Sequence, residues 1–119
     1  MNEPNRNLPR RPAQADLEGV DLAGANLEGR VLKGLDLRNR NLEGARLKDA
    51  ILVDSDLAGA RLVGADLQGA EIDRCILDGA NLLGANLKGA QITELSAKST
   101  NFQNVLAAGC HLEGGILAN

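Results

Sequence analysis

The sequence predicts an all-β solenoid, in which short extended segments and corners wind the chain into stacked coils. Three observations predict it. From Ala15 to Asn119 the 119-residue chain runs in 21 five-residue blocks, without insertion or deletion. Of its 14 glycines, 13 occupy the fifth position of a block. One Phe, with no Trp and no Tyr, leaves the interior to small and branched side chains. Self-similarity at a fixed period is the mark of a repeat architecture.

The third residue of each block, its centre, is always apolar. Leucine fills 16 centres, among them Leu17, Leu22, Leu27, Leu37, Leu57, Leu67, Leu82 and Leu87. Ile72, Ile92, Ala97, Phe102 and Ala107 complete the series. Phe102 lies where the pattern is weakest, and it is expected to fill volume left by Ala97 and Ala107. Two residues before the centre, Ala stands in 10 blocks, with Ser55, Cys75, Thr100 and Cys110 as other small choices. A helix does not suit this spacing, because five steps of 100° carry the apolar residue around the axis. One long strand does not suit it either, since strands alternate by two. Within a block, however, the centre and the residue two before it share a side, as extended backbone requires. The glycine that follows suits a corner with positive φ. Repeated corners of one hand wind a coil; stacked coils bury a ladder of leucines and bond backbone to backbone between layers.

The blocks Ala25-Asn26-Leu27-Glu28-Gly29, Ala65-Asp66-Leu67-Gln68-Gly69, Ala80-Asn81-Leu82-Leu83-Gly84 and Ala85-Asn86-Leu87-Lys88-Gly89 resemble the pentapeptide-repeat family, whose pattern is A-(D/N)-L-x-x. The resemblance covers residues 15–119. It implies a right-handed quadrilateral β-helix with four blocks per coil and about five coils. Residues twenty apart then stack in columns. Asp16, Asp36 and Asp56 share one column, with Asp78 on the same face, and together form a candidate acidic interaction face. The local reading of the Asp and Asn residues is that they bond nearby backbone groups at corners.

Residues 1–14 form a separate N-terminal tail or cap. They hold Pro4, Pro9 and Pro12 together with Arg6, Arg10 and Arg11. Proline cannot donate to a ladder, so such a segment blunts the first coil edge. At the other end the pattern weakens over residues 95–104, recovers at Cys110, and runs in register to Asn119. The open coil exposes Ile116 and Leu117, for which end-to-end dimerisation, a downstream segment and fraying are competing explanations. Arg30, Leu35 and Arg40 occupy the inward small position, where an unpaired charge is costly. A bulge or a wider coil is therefore expected near residues 30–40.

The formal charge is −3. A basic band (Arg30, Lys33, Arg38, Arg40, Arg46, Lys48) lies between two acidic stretches. His111 stands alone, and Cys75 and Cys110 suit packing rather than a ligand set. Phosphate-binding loops and nucleophile elbows are absent from the sequence. No catalytic residue, metal or cofactor is therefore expected. No apolar run approaches a membrane span, and the N-terminus lacks the apolar stretch of a signal peptide. These points favour a cytoplasmic protein without a membrane partner. Direct nucleic-acid binding is not expected of an acidic chain without stacking aromatics. The residues favour a non-catalytic interaction or scaffold module with a protein partner, including a second copy of itself. Family resemblance implies two alternatives: a DNA mimic that binds DNA gyrase or another type II topoisomerase, and the repeat part of a secreted effector or its adaptor.

Overall fold

The computed structural model describes residues 8–118. Five three-residue strands make one parallel sheet in sequential order. They are β1 (Val31–Lys33), β2 (Ile51–Val53), β3 (Glu71–Asp73), β4 (Gln91–Thr93) and β5 (His111–Glu113). Leu32 pairs with Leu52, Leu52 with Ile72, Ile72 with Ile92, and Ile92 with Leu112. Isolated parallel bridges form the other three sides, as in Asn26 with Arg46, Asp36 with Asp56, and Asn41 with Arg61. Every pairing joins residues twenty apart, so four blocks close one coil. The five strands span four full turns, close to the five coils read from the sequence. The principal extents are 38 × 22 × 21 Å.

Hydrogen bonds between coils follow the same clock. The Leu47 N–H donates to the Asp66 carbonyl at 2.7 Å, and the Arg46 N–H donates back to the Ala25 carbonyl at 2.9 Å. Within each corner a turn bond closes, such as Ala65 N–H to Leu62 carbonyl at 3.0 Å. Every fifth-position residue from Gly19 to Gly114 has φ between 52° and 71°, whether glycine or not. Asn39, Asp49, Asp54, Arg74, Glu94, Ser99 and Asn104 are the non-glycine members. The stacking of coils imposes the left-handed corner, and glycine meets it at least cost.

Gly59 shows why some corners admit nothing else. Its φ is +69°, and a Cβ placed there would meet the Asn39 carboxamide oxygen of the coil before. Gly59→Ala is expected to lower stability by about 1–2 kcal/mol through the left-handed backbone alone, and further through the clash. Chemical denaturation checks this: Asn39→Gly in the same chain should recover the clash component only.

The interior is a ladder of centres and alanines. Leu22, Leu42, Leu62 and Leu82 stack in one column, and each is 1–2 % exposed. Ala25, Ala45, Ala65 and Ala85 are fully buried beside their centres. The mid-stack void, lined by Leu57, Leu62, Cys75 and Leu77 among others, is only about 20 Å³. Rings would not fit, which accounts for the missing aromatics.

One buried polar residue supports the corner after the strand side. Ser55 is 1 % exposed; its Oγ accepts from the Leu35 N–H at 3.1 Å and donates to the Leu32 carbonyl at 3.0 Å. One coil later Cys75 takes the same place, and its thiol donates to the Asp73 carbonyl at 3.6 Å, as the Ser55 hydroxyl approaches the Val53 carbonyl at 3.4 Å.

Residues 30–40 contain no bulge, contrary to the expectation from Arg30 and Arg40. Strand β1 and the bridges from Asp36 and Asn41 keep the twenty-residue register. The two guanidinium groups turn to carbonyls on the N-terminal side instead. Arg40 donates to the Leu17 and Val20 carbonyls at 3.1 and 3.0 Å. Arg30 donates to the Glu28 and Leu8 carbonyls, both at 3.1 Å. A carbonyl has two lone pairs, and the turn bond Val20 N–H to Leu17 uses only one.

Those carbonyls belong partly to a segment lying across the first coil. Leu8 and Leu17 join the core, Pro12 is buried, and α1 (Gln14–Leu17) is a short helical turn. The first block is thus helical rather than extended. Asp16 accepts from the Ala13 N–H at 2.8 Å instead of closing a corner. Val31 donates to the Arg10 carbonyl at 2.7 Å, and the Gln14 side chain bonds both backbone groups of Asp36. Pro4 and Arg6 lie outside the described residues.

Candidate functional site

Side chains outside the coils stand in four columns. Most Asp and Asn residues before a centre bond two residues ahead, as Asp56 accepts from the Ala58 N–H and Asn86 from the Lys88 N–H, both at 3.0 Å. This local role was legible in the repeat pattern. The blocks of the strand side lack it: Val31, Ile51, Glu71, Gln91 and His111 occupy that position. Their recurrence every twenty residues is a sequence signal for the strand side that periodicity by five conceals.

The four acids of the candidate face are held by different partners. Asp16 is bonded to the N-terminal segment, whereas Asp36 forms an ion pair with Arg38 at 2.9 Å. Asp56 lies 4.0 Å from the same guanidinium. Asp78 accepts from the Ser96 hydroxyl at 2.8 Å and from the Lys98 N–H at 2.9 Å. The Lys98 N–H and Ser96 bonds hold its pKa below the usual carboxylate value. The hydrogen bond from Arg38 holds Asp36 down at about 2.

A depressed folded-state pKa stabilises above the unfolded value and ceases to do so as pH falls through the folded value. Asp36 should therefore withdraw its contribution between about pH 4 and pH 2, with Asp54 and Asp78 acting in the same direction. Carboxyl NMR titration of Arg38→Ala should return Asp36 towards the ordinary value of about 4 and leave Asp78 in place.

The basic band is divided among internal tasks. Arg30 and Arg40 bond carbonyls, Arg38 pairs with Asp36, and Arg46 pairs with Glu28 at 2.6 Å. Lys33 and Lys48 are exposed. A further ionic group lies at a corner, where Arg74 bridges Asp54 and Asp73, each at 2.7 Å. All these pairs are on the surface, where ion pairs add little stability.

The C-terminal coil end differs from every other part of the surface. Leu87, Ile92, Leu95, Phe102, Val105, Ala107, Cys110, Leu112 and Leu117 line an open apolar concavity of about 330 Å³. Phe102 packs partly against the core, so it fills only some of the space beside Ala97 and Ala107. Leu117 belongs to this lining, as placed from the sequence. Ile116, 52 % exposed, is outside it and bridges Ser96 on a side face. Phe102, Val105, Cys110 and Leu112 were missed as end residues, although counting twenty from Leu82, Ala85, Ala90 and Ile92 locates them.

Cys75 is buried, and desolvation pushes its thiol up to about 11. Cys110 is only partly buried, contrary to its expected place in the packing. A maleimide should modify Cys110 in the native protein and reach Cys75 only on unfolding, which mass spectrometry would read. Among the described residues, no group of three or more His, Cys, Asp or Glu side chains is placed to hold a metal. No described helix is long and apolar enough to cross a membrane.

Comparison with known proteins agrees with this architecture. The family model described as pentapeptide repeats matches eight copies, over residues 13–49, 31–69, 41–79 and 65–104. No curated protein matches the chain. Among solved structures, Rfr23 from the cyanobacterium Cyanothece 51142 is 30 % identical, over 83 % of this chain and 70 % of that one, with a TM-score of 0.45. HetL, involved in heterocyst differentiation regulation in Nostoc sp. strain PCC 7120, is 23 % identical over 85 % and 59 %, with a TM-score of 0.42. QnrB1, a plasmid-mediated fluoroquinolone resistance protein, is 22 % identical over 76 % and 57 %, with a TM-score of 0.46. The chain thus spans less than two thirds of HetL and of QnrB1. With its unbroken blocks, twenty-residue register and matched family model, the chain belongs to the pentapeptide-repeat family.

Proposed function

We propose that the chain is a rigid, non-catalytic module that presents its outer side chains to a partner protein. The observation that supports this reading is the constant twenty-residue register. It holds each column at one side chain per rung, about 4.8 Å apart, and no insertion interrupts the described five-residue blocks. The charged groups of the described surface are engaged mainly in ion pairs and corner bonds, which fix their positions without preparing them for proton or group transfer.

A photo-crosslinking residue placed at Ala58, Val63, Lys88 or Gln91 tests it, one position for each face. A discrete adduct in cells from one or two faces supports the module. Equal labelling from all four faces, or none, overturns it.

The DNA-mimic reading draws on the adjacent rungs Asp36 and Asp56 and on a rod 22 × 21 Å across. Arg38 lies between those two carboxylates and offsets the negative charge they would offer. A gyrase supercoiling assay separates the readings. Inhibition or protection at micromolar protein favours mimicry, and no effect removes it.

A further inference from the structure

We propose that the concavity beside Arg30 is a carboxylate-binding site, which takes an acidic side chain on an extended segment of a partner protein. It lies between the N-terminal segment and the corner at Glu28 to Arg30, and it is independent of what the side faces present.

Unmet bonding capacity marks the place. Among the described residues, Arg30 Nε is the one buried side-chain nitrogen or oxygen without a hydrogen-bond partner. A buried charged donor without an acceptor is costly, and folded proteins leave few of them. The rest of the guanidinium is engaged: Nη1 donates to the Glu28 carbonyl and Nη2 to the Leu8 carbonyl, both at 3.1 Å. Arg40, the other inward arginine, leaves no buried atom unmet.

The charge is unmet as well. Arg38, Arg46, Arg61 and Arg74 each hold a carboxylate at 2.6–2.9 Å. Arg30 bonds only neutral carbonyls. Leu8, Arg10, Glu28, Gly29 and Arg30 line the concavity, whose volume is about 320 Å³. That is roughly the share of ten water molecules, which is room for an acidic side chain and its flanking peptide groups. Arg10 forms no ion pair among the described residues, and Glu28 is already committed to Arg46 at 2.6 Å.

Chemistry selects the ligand. On one edge of a guanidinium, Nε–H and Nη2–H point the same way and match the two oxygens of a carboxylate. This chain already uses that fork, since Arg38 donates from Nε and Nη2 to the two oxygens of Asp36, both at 2.9 Å. On Arg30 the same edge holds one carbonyl at Nη2 and nothing at Nε. Because Nε is buried, the carboxylate enters by displacing the Leu8 carbonyl. The exchange trades a neutral acceptor for a charged one and satisfies the orphaned donor. Two cations and one anion in the lining suit a single negative charge better than a phosphate dianion. Leu8 adds an apolar wall, so a segment alternating acidic and apolar residues fits, with the two kinds on opposite sides of an extended backbone.

Heteronuclear NMR of the full chain tests this through the Arg30 Nε–H signal. At constant ionic strength, acetyl-Glu-Leu-Glu-amide should shift that signal, and the Gly29 and Val31 amides, saturably. The glutamine counterpart, acetyl-Gln-Leu-Gln-amide, should bind at least tenfold more weakly. Acetate should also bind more weakly than the glutamate peptide; acetate as tight as the peptide would keep the carboxylate site and assign it to small free acids. Arg30→Lys keeps the charge but lacks the fork, and should weaken peptide binding at least tenfold, read at the Gly29 and Val31 amides. Circular dichroism checks that this variant folds. Arg10→Gln, at an exposed position, should weaken binding several-fold and provides a second variant. No saturable shift in the unaltered chain, a glutamine peptide that binds equally well, inorganic phosphate that binds more tightly than either carboxylate, or undiminished binding by folded Arg30→Lys would each overturn the proposal.

Discussion

Leu62→Ala is expected to lower the free energy of unfolding by about 3–5 kcal/mol, the range for a fully buried leucine whose cavity does not collapse. Leu62 is 1 % exposed, with Leu42 and Leu82 one rung away on either side, and the void already beside it is only about 20 Å³. Coils are held at a fixed rise by backbone hydrogen bonds, so the neighbours cannot close over the missing atoms. Domains of this size are stable by only about 5–15 kcal/mol, so the loss is a large fraction. Leu117→Ala provides the contrast. It occupies the same block position, but at 54 % exposure it should change stability by less than about 1 kcal/mol. Urea denaturation of the two variants checks both values. Equal effects would mean that burial along the stack does not govern the cost.

Ser55→Ala carries the second largest expected effect, a loss of about 1–3 kcal/mol. The substitution removes one hydroxyl, leaves the buried Leu35 N–H without its acceptor, and takes one of two hydrogen bonds from the Leu32 carbonyl, which the β1–β2 ladder still engages. Water cannot replace it at 1 % exposure. Ser55→Cys is the discriminating companion, because Cys75 occupies the equivalent buried site one coil later and bonds a backbone carbonyl there. It should recover part of the loss. If Ala and Cys prove equally costly, the hydrogen bonds are not what Ser55 contributes.

The sequence made the interior legible because one side chain per block carries most of the information. Leu17 through Leu87 need only be apolar and regularly spaced for their burial to follow. The number of blocks per coil did not follow from spacing by five and came from family resemblance. The strand side was nonetheless written in Val31, Ile51, Glu71, Gln91 and His111, where the corner-bonding Asp or Asn is missing. Arg30 and Arg40 were misjudged for a physical reason. Their acceptors are backbone carbonyls at a corner, and no residue type announces a spare lone pair. The N-terminal segment was opaque because Leu8 is a lone apolar residue among prolines and arginines. Of the candidate site, Leu117 was visible as an end residue, whereas the shared Arg38 that links Asp36 and Asp56 depends on rung-to-rung geometry.

Because every corner from Gly19 to Gly114 adopts the same left-handed turn regardless of residue type, the chain behaves as an indexed drum. Inserting five residues anywhere in the stack would rotate all downstream side chains by a quarter turn and move each column onto the next face, with the leucine ladder intact. Inserting twenty would lengthen the drum by one rung and restore the original phase. Surface pattern and core stability are thus separable by arithmetic modulo twenty. An insertion or deletion in this chain redraws the outside in discrete steps rather than deforming it.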